Sequence, residues 1–534
     1  MPLCAVALTV LLSGLRMPFP LAAVQPGPPA LPAVTQIVEN ARRALGRLPS
    51  ASAHWSGSIV EDGDRAHFDI VADREGRYRQ VVSFALATRS EGSDGGVNWQ
   101  LDENGDVETQ SPARRVPLSA RLLRLNQHLL GLSDKSSVSG SAVINEKPAY
   151  VVRAKFGADP ITLYVDGASS LLAGADFQDG SVRYKAYRRF HGVPVPAIIE
   201  ERQAGFDVTT TVEEVDFGAP VGDAAVVPIQ RVPQFPAGRQ SVALPFDSPR
   251  GLIVVRAEIN GRPIKILLDS ASSGSLIDAE AARRLGLQTA GTARVEGAGM
   301  LVGSVARTDS LEVGGLIFRH FIMDAVPLRL PAAIAREGIE AVLGYDAFAA
   351  LVVRVDYRKN QLSLISPGSF SYDGGGVSEE LDVSQRVPKL TASVGDKDSG
   401  RFTVDTGSGE NLVLFQPFFE AHPRDFTRQS QFQETEPNPL GPREIGGPAD
   451  VRFTEAAQPE NASGAGGELR VEQANVNVLR LGGAVLSDVP AQIIMRPEGA
   501  FNPLRSDGLV GGRTLASFRD VFFDYWRKRL IFEP

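Results

Sequence analysis

From His54 to Val215, apolar and polar residues alternate in short runs between Gly- and Asp-rich turns. A period of two predicts strands with one buried face. The candidates are Arg65–Val71, Arg77–Val82, Val97–Leu101, Tyr150–Phe156, Ile161–Val165, Ala173–Phe177, Val182–Tyr187, Ile198–Arg202 and Val208–Val215. In one of them Val182, Tyr184 and Ala186 alternate with Arg183, Lys185 and Tyr187, the mark of a strand with one wet face. Two stretches carry helical spacing instead. Thr35–Leu48 places Ile37, Val38, Ala41 and Leu45 on one side, and Ser119–Leu132 does the same with Leu122, Leu125, Leu129 and Leu132. Only Arg121, Arg124 and His128 make the second helix basic, so it is expected to pack on a core rather than lie on a membrane. Residues 53–217 read as an antiparallel β domain. A linker and helix precede it over 24–52, and a Pro-rich linker follows over 218–240.

The remainder is also β-patterned, and it is duplicated. Asn260-Gly261, between Gly251–Asn260 and Arg262–Leu268, is a strong hairpin signal. The hairpin leads into Leu267-Leu268-Asp269-Ser270-Ala271, and Asp278–Leu285 then reads as a short helix capped by Gly286. The second copy reads Thr403-Val404-Asp405-Thr406-Gly407. Leu276 and Leu412 follow the two acids at the same spacing. Ala341-Val342-Leu343-Gly344 is answered by Gly508-Leu509-Val510-Gly511, and the block from Val355 to Leu362 by that from Phe523 to Leu530. Blocks repeated in one order mean internal duplication. The copies are placed at 241–372 and 373–534, joined through Pro367–Gly376. The polar stretch 422–467 reads as a long, poorly ordered insertion. A carboxylate ending a buried strand is costly unless hydrogen-bonded or paired. Small residues after it allow a turn whose N–H groups face it.

An apolar run, then Asp-Thr/Ser-Gly, then a later pair of apolar residues and Gly resembles the lobe of the aspartic proteases. The resemblance covers roughly residues 240–534. Retropepsin-like members have one lobe and dimerise; pepsin-like members carry two, and tandem copies imply the second arrangement. The resemblance further implies Asp269 and Asp405 as the catalytic pair, with Ser270 and Thr406 hydrogen-bonding across the lobe interface. Gly407 would offer its N–H near the carboxylate, and Gly344 and Gly511 would pack behind the two loops. Thr292–Thr308, with Gly297, Gly299 and Gly303, falls where a substrate-covering flap would sit, without the aromatic residue of many pepsin-like flaps. Ala271 departs from the pattern; if its turn needs a positive φ, the penalty is on the order of 1 kcal/mol. Asp356 and Asp524 read as structural acids. Two carboxylates held close cannot both ionise easily, so the pair holds one proton. One member takes a proton from water while the other hydrogen-bonds the scissile carbonyl.

Residues 53–217 resemble the lipoprotein-carrier (LolA-like) half-barrel through Val97-Asn98-Trp99-Gln100, Leu163–Asp166 and Thr209-Thr210-Thr211. That implies a lipid or acyl ligand; a structural or propeptide-like domain with a filled core is the alternative. The expected fold class is mainly β: two tandem aspartic-protease-type β-barrel lobes preceded by an α+β antiparallel half-barrel-like domain.

Composition narrows the function. The 534 residues are 43% hydrophobic and 22% charged, ordinary for globular domains, and the net charge of −8 argues against a general nucleic-acid binder. Cys4 is the one cysteine. It lies in an apolar run reaching Leu15, too short for a bilayer but fitting a secretory signal over 1–23 with Ala22-Ala23 near the cut. A secreted or periplasmic chain processed there holds no cysteine, which excludes disulfides and cysteine catalysis. The six histidines are dispersed, so no zinc site is expected, nor any cofactor. Asp102 to Asp106 lacks the Gly and terminal Glu of a calcium loop and reads as a turn. Neither a Gly-x-Ser-x-Gly elbow nor a phosphate-binding loop occurs.

These features point to a monomeric aspartic endopeptidase acting on a peptide or protein substrate. The alternative is a weak or inactive protease-like envelope protein that binds lipid or peptide. A third reading makes the N-terminal domain a pro-region.

Overall fold

Thirteen strands between Ser52 and Gln110 and between Ser137 and Phe217 form one sheet in which every neighbouring pair is antiparallel. The computed structural model describes residues 31–534 apart from 47–49, 74, 111–128, 133–134, 157–158, 179, 204–205, 298, 331, 396–397, 429–460, 465–466 and 498. The chain is mainly β and divides into two units, one ending at Arg231 and the other running from Val232 to Pro534.

In the first unit the sheet closes its sequence order by pairing Ser52–Glu61 with Phe206–Phe217, in a register that sets Ile59 opposite Thr210. The expected strands are all present. Thr88–Ser93, Val107–Gln110 and Ser137–Ile144 are strands that alternation did not reveal, because small and polar residues fill both faces of Arg89-Ser90-Glu91-Gly92. Helix Val34–Leu45 buries Ile37, Val38, Ala41 and Leu45, the stripe read from the sequence. The expected signal segment lies outside the described residues. So does most of the Ser119–Leu132 helix, although Leu129 and Leu130 are helical and Leu129 is fully buried.

The second unit contains one strand design twice. In the first half, Arg262–Leu268 lies between Val254–Ile259, antiparallel, and Ala341–Leu343, parallel. In the second half, Asp398–Asp405 lies between Lys389–Val394, antiparallel, and Gly508–Gly511, parallel. Leu276–Asp278 and Leu412–Phe415 then add antiparallel to the same parallel strands. The pairings make Leu267 equivalent to Thr403 and Val342 equivalent to Leu509. Leu276 opposes Val342 and Val413 opposes Leu509, so the true partner of Leu276 is Val413, not Leu412. The turn after Asp405 is therefore one residue longer than that after Asp269.

A third sheet joins the halves. Its order is Ser241–Pro245, Gln361–Ile365, Val352–Asp356, Asp520–Asp524, Arg529–Glu533, Val377–Glu380. The two copies of the repeated tail meet at its centre, where Val353 opposes Phe523 and Val355 opposes Val521. A continuous core runs from Ile266 and Leu268 through Val353 and Phe523 to Phe402 and Val404. The stretch 422–467 is not wholly an insertion. Phe426–Arg428 and Asn461–Gly464 are short strands on Gly467–Leu481, while 429–460 lies outside the described residues.

Candidate active site

Each acid is delivered by a strand whose backbone is bonded on both sides, so its position is set before its side chain is considered. The Asn260-Gly261 turn takes φ of 51° and 73°, the pair of positive values a two-residue hairpin needs. It fixes the register of Arg262–Leu268, and the Asp269 N–H then donates to Leu343 O at 3.0 Å. Gly407 N donates to Asp405 Oδ1 at 2.8 Å; Ala271 N and Ser272 N donate to Asp269 Oδ1 at 2.9 and 3.1 Å.

The two loops are interlocked. Ser270 N donates to Thr406 Oγ1 at 2.9 Å, and Thr406 N donates to Ser270 Oγ at 3.0 Å. Each hydroxyl in turn donates a hydrogen bond across the interface, Ser270 Oγ to Val404 O at 2.7 Å and Thr406 Oγ1 to Leu268 O at 2.8 Å. Both side chains are fully buried. The bonds carry the expected Ser270–Thr406 contact in both directions and leave neither hydroxyl unsatisfied.

This lock sets Asp269 and Asp405 beside each other: Gly407, whose N–H bonds Asp405, lies against the Asp269 carboxyl. Both are densely surrounded by protein atoms yet keep a partly open side, so they are desolvated without being sealed from water. Burial raises both carboxyls above the usual range. For Asp269 the Ala271 and Ser272 N–H groups oppose the rise. Asp405 is raised further, by burial and then by the charge of Asp269.

Gly407 is required by close approach. A Cβ there would overlap the Asp269 carboxyl, 2.7 Å from Oδ1. Gly344 and Gly511 are equally tight: a Cβ on the first would meet Gly274 O and come 2.8 Å from Ser272 O, and on the second it would meet Glu410 O. They pack behind the acid loops as expected. Neither Ala271 nor Gly407 has a positive φ, so the condition for a backbone cost at Ala271 is not met. The hairpin Gln288–Glu296/Met300–Arg307 occupies the expected flap segment, and Ala500 N donates to Gly297 O at 3.3 Å near its tip.

An aspartyl protease family model matches residues 255–347. That stretch holds Asp269, its loop, the hairpin and Gly344. No curated protein matches the chain. Among solved structures, a retropepsin-like aspartic protease from Rickettsia conorii is 18% identical, with 23% of this chain and 89% of that one covered and a TM-score of 0.18. A LolA superfamily protein from Nitrosomonas europaea is 13% identical, covering 37% and 98%, at a TM-score of 0.28. Basic 7S globulin from soybean is 12% identical, covering 55% and 95%, at 0.33. None of these scores reaches 0.5.

Sequence reasoning missed a set of residues that hold the first loop. Asp346 accepts from Ser275 N at 2.8 Å and pairs with Arg386 at 2.6 Å. Arg386 also donates to Ser273 O at 3.0 Å and lies over the Tyr345 ring. Arg386 belongs to the second half, so it ties that half to the loop of the first. The matching loop of the first half, closed by the Asp247–Val254 bridge as Asp382–Lys389 closes that of Arg386, also turns through positive φ: 55° at Arg250 and 85° at Gly251, the residue equivalent to Arg386, against 58° at Arg386. The Arg250 carbonyl faces Gly409, and that of Gly251 faces Gly512, so the bracing is mutual. The signal was present as Phe246-Asp247 and Leu381-Asp382 opening each copy. Tyr525 Oη reaches Ser270 O at 3.4 Å from below.

The other acids have structural roles. Asp524 bonds Arg527 and Arg529, and Asp356 accepts from Lys359 N at 2.9 Å, as the structural reading required. Asp102 accepts from Asn104 N and Asp106 N, the bonds of the turn read there from the sequence. Among the described residues no group of His, Cys, Asp or Glu could hold a metal ion.

Proposed function

We propose that residues 232–534 form a two-lobed aspartic endopeptidase in which Asp269 and Asp405 share a proton and activate water. The observation that carries this reading is the meeting of the two carboxyls at the Ser270–Thr406 interlock. Structural acids are normally paired with cations or satisfied by donors, as Asp524 is. Two acids held against each other, at the cost of like-charge repulsion, serve proton transfer.

Burial raises both carboxyls, so the resting pair holds one proton between them, and the titration belongs to the pair as a whole. The ionised member takes a proton from water as the oxygen adds to the peptide carbon, and the protonated member gives its proton to the carbonyl oxygen. The tetrahedral diol returns one proton to the second member as the C–N bond breaks, and the first passes its proton to the leaving nitrogen. The Gly344 and Gly511 packing keeps both loops in position. The test is cleavage of a peptide mixture by purified wild type, Asp269→Asn and Asp405→Asn. Each substitution is expected to lower kcat by a factor on the order of 10²–10⁴ or more. Wild-type rates from both variants would remove the dyad from the chemistry.

A second reading concerns the N-terminal unit, which we propose holds a lipid or acyl ligand outside the cytoplasm. Trp55 Nε1 and Tyr184 Oη are buried without a hydrogen-bond partner on the apolar side of its sheet, where the polar end of a ligand would satisfy them. Organic extraction of the purified protein followed by mass spectrometry tests it, and an extract free of lipid counts against it.

A further inference from the structure

The two halves present unlike walls beside the acids. Side chains alternate along a strand, so Leu267 lies on the face of Asp269 and Thr403 on the face of Asp405. Directly opposed residues of an antiparallel pair share a face, which adds Val254 to the first wall and Lys389 to the second. The adjoining parallel strands add Val342 and Leu509. Glu340 N donates to Lys265 O and Asp507 N to Arg401 O, which makes Ile339 and Ser506 equivalent. The first wall is apolar throughout, and Val295 of the hairpin packs against it. At the matching places the second wall has Lys389 for Val254, Thr403 for Leu267 and Ser506 for Ile339.

Lys389 is 2% exposed, and its ammonium donates to Gln385 Oε1 at 2.6 Å. Among the described residues no carboxylate lies within ion-pairing distance of it. The nearby acid Asp382 is engaged by Arg401. Burial, aided by the charge of Arg401, lowers the ammonium to about 8, so it stays charged at neutral and acid pH. A buried cation held by one neutral amide is costly, and a carboxylate displacing half-exposed Gln385 would gain a charge-assisted bond.

We propose that the wall built on Thr403 and Lys389 is a subsite for an acidic side chain, with Lys389 determining specificity. This rests on the endopeptidase reading above. The duplicated strands relate the halves by an approximate two-fold, so a scissile bond between the acids turns its two flanking side chains toward opposite walls. The substrate class is then a peptide with a bulky apolar residue on one side of the cleaved bond and Asp or Glu on the other.

The test is position-resolved cleavage of a peptide library by full-length wild type, Lys389→Met, Lys389→Gln and Asp405→Asn. Wild type is expected to favour Asp and Glu over Asn and Gln at one flanking position by about tenfold or more, the worth of one hydrogen bond to a charge. Either Lys389 variant that retains a wild-type melting transition should bring that ratio near one; if neither folds, the wild-type ratio decides alone. Cleavage without an acidic preference, or a preference that survives in a folded variant, overturns the subsite while leaving the dyad intact. No cleavage by wild type removes the endopeptidase reading and the subsite together. Cleavage abolished in Asp405→Asn shows that the library reports on the dyad.

Discussion

Gly407 shows how little room the paired acids leave. The α-hydrogen that occupies its side-chain position faces the Asp269 carboxyl, and a methyl group in its place would overlap that group. Gly407→Ala should therefore push Asp269 aside, costing about 1–3 kcal/mol of stability and lowering kcat about 10²-fold through misplacement of the acid. Thermal denaturation and peptide cleavage measure the two effects. The acids themselves oppose folding at neutral pH. Both have folded-state pKa values above the unfolded range, with Asp405 raised further. A carboxyl raised in this way adds stability at low pH that is lost as pH rises through its folded value. Asp405→Asn, which mimics the neutral form, should raise Tm relative to wild type at pH 7. The gain should vanish below the usual carboxylate value of about 3.9. A gain that is constant across pH would mean that the carboxyl is not raised.

At the scale of elements, the loops are held by contacts from the opposite half. The Arg386–Asp346 pair is largely buried and reaches the first acid loop through Ser273 O and Ser275 N. Arg386→Ala leaves Asp346 without this cation and should cost about 3 kcal/mol. A kcat loss exceeding any change in KM would mark it as a positioning residue, and Arg386→Lys should restore only part, since one ammonium cannot span both acceptors. An unchanged melting transition and kcat would contradict the brace. The elements that sequence revealed here are those with local causes: the Asn260-Gly261 hairpin, the Asp278-capped helix ending at Gly286, and the repeated blocks. Arg386 and Asp346 stayed hidden because they join different blocks, and because the repeat breaks at that point: Gly344-Tyr345-Asp346 corresponds to Gly511-Gly512-Arg513. The longer turn after Asp405 was hidden for a related reason. Leu412 and Val413 are both apolar, and only strand pairing decides which one matches Leu276.

For the whole molecule, the duplication was legible because each copy repeats the same burial pattern around its acid. The sheet that joins the copies was not, because nothing in the repeated tails says that Val353 pairs with Phe523 of the other copy rather than with a strand of its own. In the N-terminal unit the regular strands were visible and the small, polar ones were not. The central claim concerns the place where the copies meet, and the most direct measurement is the pH dependence of kcat/KM on a cleavable peptide between about pH 3 and 7, the range a shared-proton pair commands. The account predicts a bell with two macroscopic pKa values for wild type and, for Asp405→Asn, cleavage at least about 10²-fold slower with the bell lost. A profile flat across that range, or one that Asp405→Asn reproduces, would contradict it.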